Sequence, residues 1–416
     1  MIDLCSRESN PLLSINEALA RIKAAISPVA GSEKVILKNA LGRVLSESVL
    51  SPINIPRDRN AAMDGYAFSS QDINPDRPFT LSLAGTSWAG QPFKGHLQRG
   101  QCIRIFTGAV LPARADSVVM QERVQSNGQT VLFPANSPSR QNIREVGEDV
   151  KQGNLLCAYS KKLNAIDLGL LASAGIYELT VKRTVKIAFF STGDELTALG
   201  QPLESGKIYD SNRYILSGLL NDASYSVTDM GVISDNKRLL EDSFIKAAKN
   251  HDVIITTGGA SVGEADYVKE ILDHCGEVNF WKIAIKPGKP LAFGKIGSCC
   301  FFGLPGNPVA VLVTFQQIVA PALKRLSGVP DSKPLQLIAT CTSALKKAPG
   351  RQEYQRGILT QDQNGAFYVA SSGMQGSNIL SSFSRANCYI VLPTECKGVQ
   401  AGDKVRVELI QGAELI

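Results

Sequence analysis

The run IITTGGASVGEADY, residues 254 to 267, passes from an apolar strand end through a glycine turn into acids at the start of a helical pattern. A glycine turn that opens a helix presents free N–H groups and the positive helix end to an anion, phosphate above all. Glu264 and Asp266 would repel that anion unless each has another task. Ser261 and Glu264 fit the S-x-x-E capping box, in which the serine oxygen takes a first-turn amide and the glutamate reaches back to Ser261 N–H. That explains Glu264 without a ligand. Asp266 has no such role. Helical side chains lean toward the N-terminus, so its carboxylate should overlie Val262 and Gly263. Glycine at 263 costs up to about 1 kcal/mol of helix propensity relative to alanine, which makes sense where room is needed. Two readings stay open for Asp266: a surface acid favoured by the helix dipole by about 0.3–1 kcal/mol, or a ligand-site carboxylate. Gly258, Gly259, Ser261 and Gly263 are the candidate binding residues of this turn.

Other acids should reach the same edge of the sheet. Asp194 and Glu195 follow FFSTG, and Asp235 follows GVIS. A single aspartate after a strand is usually a turn former or cap. Several on one edge must be neutralised by a cation or titrate. Mg²⁺ held by one or two carboxylates and shared with a substrate phosphate resolves the conflict between acids and anion.

FWKIAIKPGKP supplies cations. On an extended strand Lys282, Ala284 and Lys286 share a face, with Lys289 beyond a Pro-Gly turn. Lysines of this kind can guard an edge strand. The flanking Trp281, Ile283 and Ile285 favour instead a covered strand, whose two lysines call for an anion. A second strand-to-helix turn lies in CCFFGLPGNPVAVLVTFQQIV. Gly303, Pro305 and Gly306 permit close backbone approach to a ligand, while capping alone accounts for Asn307 and for Pro308 at the first helical position. In IPRDRNAAMDGYAF, the Asp-Gly pair suits a hairpin turn. Spacing alone does not connect Asp64 to the other acids.

The elements that must position these residues change texture along the chain. SINEALARIKAAI places Ile15, Leu19, Ile22 and Ile26 on one helical stripe. From about residue 33 to 140, short apolar runs broken by Gly, Pro and Asn indicate a β-rich unit. Across residues 183 to 328, strand and helix patterns alternate: KIAFFSTG, SNRYILSGLLNDA, SYSVTDMGVI, DNKRLLEDSFIKAAKN, DVIITTGG and SVGEADYVKEILDHCG. That order predicts a doubly wound α/β layer with a largely parallel sheet, whose ligands sit beyond the carboxyl ends of the strands. STGDE, ISDN and TTGGAS fall there. From residue 329 the texture returns to short strands, read as a small C-terminal barrel or sandwich.

Composition narrows the function classes. The 416 residues exceed one ordinary core and predict two to four compact units. A hydrophobic share of 44%, with 20% charged, is that of a globular protein. A net charge of +6 over this length, with no basic run interleaved with aromatics, argues against nucleic acid as partner. Nine cysteines without a C-x-x-C pair argue against a zinc knuckle and a secreted disulfide frame. His96, His251 and His274 have no ligand spacing, so a zinc hydrolase or Ser-His-Asp enzyme is disfavoured. No secretory leader is recognised, and no apolar run is expected to approach the ~20 residues that span a bilayer. A reducing, cytoplasmic setting is the expectation.

The motifs AAMDGYAF, IFTGAVLPARADSVVMQE, IREVGEDVKQG, STGDEL, IYDSN, TTGGASVGEADYV, FWKIAIKPGKPLAFG and GLPGNPV resemble, in order, those of the molybdopterin molybdenumtransferases, a family similar to the gephyrin E domain. The resemblance runs from about residue 10 to the C-terminus. Ala61 departs from it, standing where the family has Ser.

The resemblance implies an elongated homodimer of four-part subunits. Its parts would be residues 31–50 with 141–182 as a connecting domain, 51–140 as the β-rich domain carrying MDGY, 183–328 as the α/β domain and 329–416 as the C-terminal barrel. Residues 1–30 would give a helix packed on the α/β domain. The MDGY part of one subunit would approach the α/β site of the other.

The implied reaction takes adenylylated molybdopterin and molybdate, inserts molybdenum into the pterin dithiolene and releases AMP with Mg²⁺ assistance. By motif match, Asp64, Thr107, Glu195, Asp235 and Asp266 become polar or metal-site residues, with Glu195, Asp235 and Asp266 as the metal set. Lys282 and Lys286 become anion-binding residues, and Ser377 and Pro305 lie beside the substrate. Contact with the enzyme that adenylates molybdopterin is a further implied partnership. Two other functions remain open: ATP-dependent adenylation of molybdopterin on the same α/β layer, and a dimeric scaffold that binds a peptide in an interdomain groove.

Overall fold

The computed structural model describes residues 12–137, 139–258, 270–271 and 274–410. Six strands form the central sheet: β1 (Val185–Thr192), β2 (Tyr225–Ile233), β3 (Val253–Thr257), β4 (Glu277–Lys282), β5 (Pro290–Ile296) and β6 (Cys299–Leu304), in the spatial order β2-β1-β3-β6-β5-β4. The first four of that order are parallel, and β5 and β4 add an antiparallel edge. Strands covered on both faces are continuous apolar runs rather than alternating ones. Every residue of β3 and β6 is accordingly buried. Along β1, Ile187 and Phe189 belong to one core, with Leu216 and Leu220, while Ala188 and Phe190 belong to the other, with Leu240 and Phe244. The helices Ser211–Leu219 and Lys237–Asn250 supply those partners, so the layer is doubly wound, as its sequence pattern predicts.

The helix Ile15–Ala25 starts on a full capping box, Ser14 with Glu17. Its stripe is Ile15, Ala18 and Ile22, continued by Ile26, in the same core as β1; Leu19 is only partly buried against it. Just before the helix, the Leu13 N–H donates to the Lys282 carbonyl at 2.9 Å, and the Ala284 N–H to the Leu13 carbonyl at 2.7 Å. The sheet edge beyond β4 is thus partly paired.

A separate core of Ala40, Leu45, Leu163, Leu171 and Val181 lies where Ser32–Ile36 pairs antiparallel with Glu178–Lys182. The β-rich unit is a six-stranded sheet that includes Gly65–Phe68, Phe79–Ser87, Gln101–Ile105 and Ser117–Met120. At the C-terminal end, Gln336–Cys341, Gln352–Gln361, Phe367–Ser371, Cys388–Leu392 and Lys404–Leu409 close into a five-stranded barrel.

The helical stretch Pro308–Leu326 corrects one expectation. Its 19 residues are long and apolar enough to cross a membrane. Val309, Val311, Val313, Phe315, Ile318, Val319 and Leu323 instead pack in the core shared with β1 and β3. A helix buried over most of its surface approaches the composition of a membrane span. A π-helical turn at Phe315–Val319 interrupts it.

Candidate active site

The carboxyl ends of β1, β2, β3 and β6 converge at one edge. There the Thr192 hydroxyl donates to Asp235 Oδ1, and the Asp235 N–H donates to Asp194 Oδ1 at 3.2 Å. Two of the predicted acids are therefore neighbours, both exposed. Glu195 folds its carboxylate over Gly193: a Cβ at that glycine would lie 2.4 Å from Glu195 Oε2. Beneath them, the hydroxyls of Ser191 and Thr257 are 3.0 Å apart and buried. Gly258 follows at φ +82, with its Cα packed on the Thr192 carbonyl. Gly259, Ser261, Gly263, Glu264 and Asp266 lie outside the described residues.

At the end of β6, Pro305 is buried while Gly306 and Asn307 are exposed. Asn307 stands at the N-cap and Pro308 at the first helical position, as expected, but the Asn307 side chain makes no capping hydrogen bond. Capping therefore explains Pro308 and not the exposed asparagine. The Gly306 carbonyl accepts from Asn212 Nδ2 at 2.7 Å. Ser377 joins this corner through its backbone, its carbonyl accepting the Val309 N–H at 3.2 Å.

Asp210 and Asn212 were not among the candidates. Asp210 caps the helix Ser211–Leu219 through Arg213 N–H at 3.1 Å and is only 5% exposed. Its Oδ2 and the Asn212 Oδ1 are buried without a hydrogen-bond partner among the described residues. The signal was present in the motif IYDSN, where a capping aspartate at a helix start hides any second role of its other oxygen.

Lys282 ends β4, and Lys286 lies in the short strand Ile285–Lys286. β4 is the edge strand of the sheet. Ile283 and Ile285 are nonetheless fully buried, so one side of the segment is covered while Lys282 and Lys286 are exposed. Lys286 already has an anion: its Nζ donates to Glu353 Oε1 at 2.9 Å, a carboxylate only 5% exposed. The pair sits where Ile285–Lys286 runs parallel to Gln352–Gln361 of the barrel. Lys286, Glu353, Arg356, Ser371 and Gln375 line a cleft of about 200 Å³.

Asp64 and Thr107 lie on the β-rich sheet. The Thr107 amide and hydroxyl hold the Asp64 carboxyl below its ordinary pKa, with Arg104 adding a smaller electrostatic contribution. Among the described residues no hydrogen bond or ion pair joins this pair to the α/β strand ends within the chain.

The donor set at the strand ends suits a hard ion. Asp194, Glu195 and Asp235 offer carboxylate oxygens, and Mg²⁺ commonly takes one or two of these while keeping several waters. Among the described residues no three His, Cys, Asp or Glu side chains converge closely enough to hold a metal by themselves. These carboxylates fit such an ion only where other oxygens complete its shell.

Three family models match successive parts of the chain: the MoeA N-terminal region (domain I and II) over residues 13–175, a probable molybdopterin binding domain over 188–325, and the MoeA C-terminal region (domain IV) over 339–410. The molybdopterin molybdenumtransferase of Haemophilus influenzae is 44% identical over 399 residues, 95% of this chain and 98% of that protein. Gephyrin of Dictyostelium discoideum is 33% identical, across 91% of this chain and 59% of its own length. Among solved structures, a molybdopterin biosynthesis moeA protein from Pyrococcus horikoshii OT3 superposes with a TM-score of 0.82 at 29% identity, covering 96% of this chain and all of that one.

Proposed function

Because the chain belongs to the molybdopterin molybdenumtransferase family, we propose that its acid-lined strand ends take the phosphate end of adenylylated molybdopterin and its lysines take molybdate. The role of the chain is molybdenum insertion in molybdenum cofactor biosynthesis. The observation that carries the detailed reading is the Thr192–Asp235–Asp194 chain beside Gly258. Exposed acids at the carboxyl edge of the sheet support it, because an open α/β sheet receives its ligand there.

Each group then has a task. The glycine turn lets backbone approach the phosphate, and Thr192 fixes the orientation of Asp235. When bound, Mg²⁺ would neutralise the phosphoanhydride and stabilise charge as its bond to AMP breaks. Lys282 and Lys286 draw in the molybdate dianion, Lys286 by exchanging Glu353 for it. The substrate's dithiolene ligates molybdenum, so no cysteine cluster is required of the protein.

Asp64 and Thr107 serve the α/β site of a second subunit in this reading. Equal mixing of Asp64→Asn and Asp235→Asn chains should then restore part of the activity that each lacks alone. The decisive assay supplies the purified chain with adenylylated molybdopterin, Mg²⁺ and molybdate and follows AMP. Release that requires molybdate supports insertion. ATP consumption with free molybdopterin supports adenylation, and neither reaction favours the scaffold. Asp266→Asn should abolish turnover with the fold intact; full activity in that variant overturns the metal-site role.

A further inference from the structure

A second cavity, of about 390 Å³, lies away from the strand ends, lined by Tyr159, Ser160, Lys182, Arg325, Gly328 and Asp331 among others. Lys182 is only 8% exposed. Its ammonium donates to Ser160 Oγ at 3.1 Å and to the Gly328 carbonyl at 3.4 Å, and stands 4.7 Å from the centre of the Tyr159 ring. All three are neutral, and no ion pair is recorded for this lysine among the described residues. Neutral partners and the ring face replace part of the lost hydration, but none carries a full negative charge, and an anion in the adjoining cavity would compensate the ammonium directly.

Among the described residues the surroundings do not supply one. Asp331, the carboxylate in the lining, is taken by Lys23 at 3.0 Å and Arg325 at 3.6 Å. Lys182 and Arg325 against Asp331 leave the cavity net cationic before Lys23 is counted. A helix C-terminus accounts for a nearby lysine, and Gly328 does end the helix Ala320–Leu326. It does not account for burying the ammonium. Gly328 is itself shaped to that burial: at φ +80, a Cβ there would lie 2.0 Å from Lys182 Nζ.

We propose that this cavity is an anion site, distinct from the strand-end site, that takes a small tetrahedral oxyanion between Lys182 and Arg325. The oxyanion is either free in solution or the phosphate of a nucleotide. Crystals of the full chain soaked separately with molybdate, inorganic phosphate and AMP test it. The expected result is oxyanion density within hydrogen-bond reach of Lys182 Nζ. Density with molybdate or phosphate identifies a free anion, and density with AMP alone identifies a nucleotide.

Calorimetric titration with whichever probe binds should show Lys182→Met weakening this site by about tenfold or more, the value of one charge-assisted hydrogen bond. Arg325→Gln keeps the buried lysine and should weaken it severalfold. Should Lys182→Met fail to fold, Arg325→Gln decides. No density from any probe, or unchanged affinity in the folded variants, overturns the proposal.

Discussion

Thr107 binds Asp64 twice through one carboxylate oxygen: its amide donates at 2.8 Å and its hydroxyl at 2.7 Å. The amide is fixed by the backbone, so Thr107→Val removes the hydroxyl bond alone. With one stabilising donor gone, the depressed Asp64 pKa should rise toward the ordinary carboxylate value near ~3.9. Carbon-13 titration of the Asp64 carboxyl checks that direction. Asp64 stays ionised at neutral pH in both proteins. The variant should therefore lose activity, by roughly fivefold for one net hydrogen bond, equally at pH 6 and pH 8.

Arg183 and Asp252 form a two-pronged ion pair, at 2.7 and 2.8 Å, and Asp252 also accepts the Lys186 N–H at 2.8 Å. Partial burial pushes the Asp252 carboxyl up, but Arg183 and the Lys186 amide outweigh it and hold the group below its ordinary pKa. A depressed carboxylate pKa contributes stability that is fully present above the unfolded value near ~3.9 and is lost as pH falls through the folded one. Asp252→Asn should cost about 1–2 kcal/mol at pH 7, allowing for the pair's partial exposure. Thermal denaturation of both proteins should show that gap closing as pH falls below about 4.

Much of the α/β layer was legible because β1, β3 and β6 are buried at nearly every position and so read as largely apolar runs. Periodicity does not encode strand direction, which is why the antiparallel pair β4 and β5 at one edge was not foreseen. The length of Pro308–Leu326 was missed because its Pro, Gln and Lys residues interrupt the apolar run in sequence while its helical surface remains buried. Site residues became legible where a strand end or cap marks them, as at Asp194, Asp235 and Gly258. Partnerships across the chain were not. Thr107 is 43 residues from Asp64, and Glu353 is 67 from Lys286. No local pattern reports contacts of that range, and only the family resemblance linked Asp64 with Thr107 to a common site.

Gly258 has a backbone demand that its neighbour across the site lacks. At φ +82, a Cβ would lie 2.4 Å from the Thr192 carbonyl oxygen, whereas a Cβ at Gly306 meets nothing within 4 Å among the described residues. Gly258→Ala should lower stability by about 1–3 kcal/mol from backbone strain alone, with further loss from the clash. Gly306→Ala should leave Tm unchanged. Its turnover then reports whether a ligand approaches this backbone: a raised KM for adenylylated molybdopterin at constant Tm places the substrate there, and wild-type kinetics remove Gly306 from the site.

Lys286 carries two possible duties, since it neutralises Glu353 and faces the cleft where molybdate is proposed to bind. Lys286→Met should lower stability by about 1–3 kcal/mol, because among the described residues Glu353 would keep only the Gln355 amide, at 3.0 Å, in place of a cation. Glu353→Gln in the same chain removes the stranded charge and should restore most of the lost Tm. The kinetics then separate the duties. If Lys286 attracts molybdate, its KM for molybdate stays raised by roughly tenfold in the double variant while kcat recovers with the fold. Recovery of both Tm and KM would reduce Lys286 to a structural partner of Glu353 and leave Lys282 to carry the anion. The burial difference favours the first outcome: the lysine is 45% exposed and can swing to a ligand, whereas Glu353 at 5% cannot follow it.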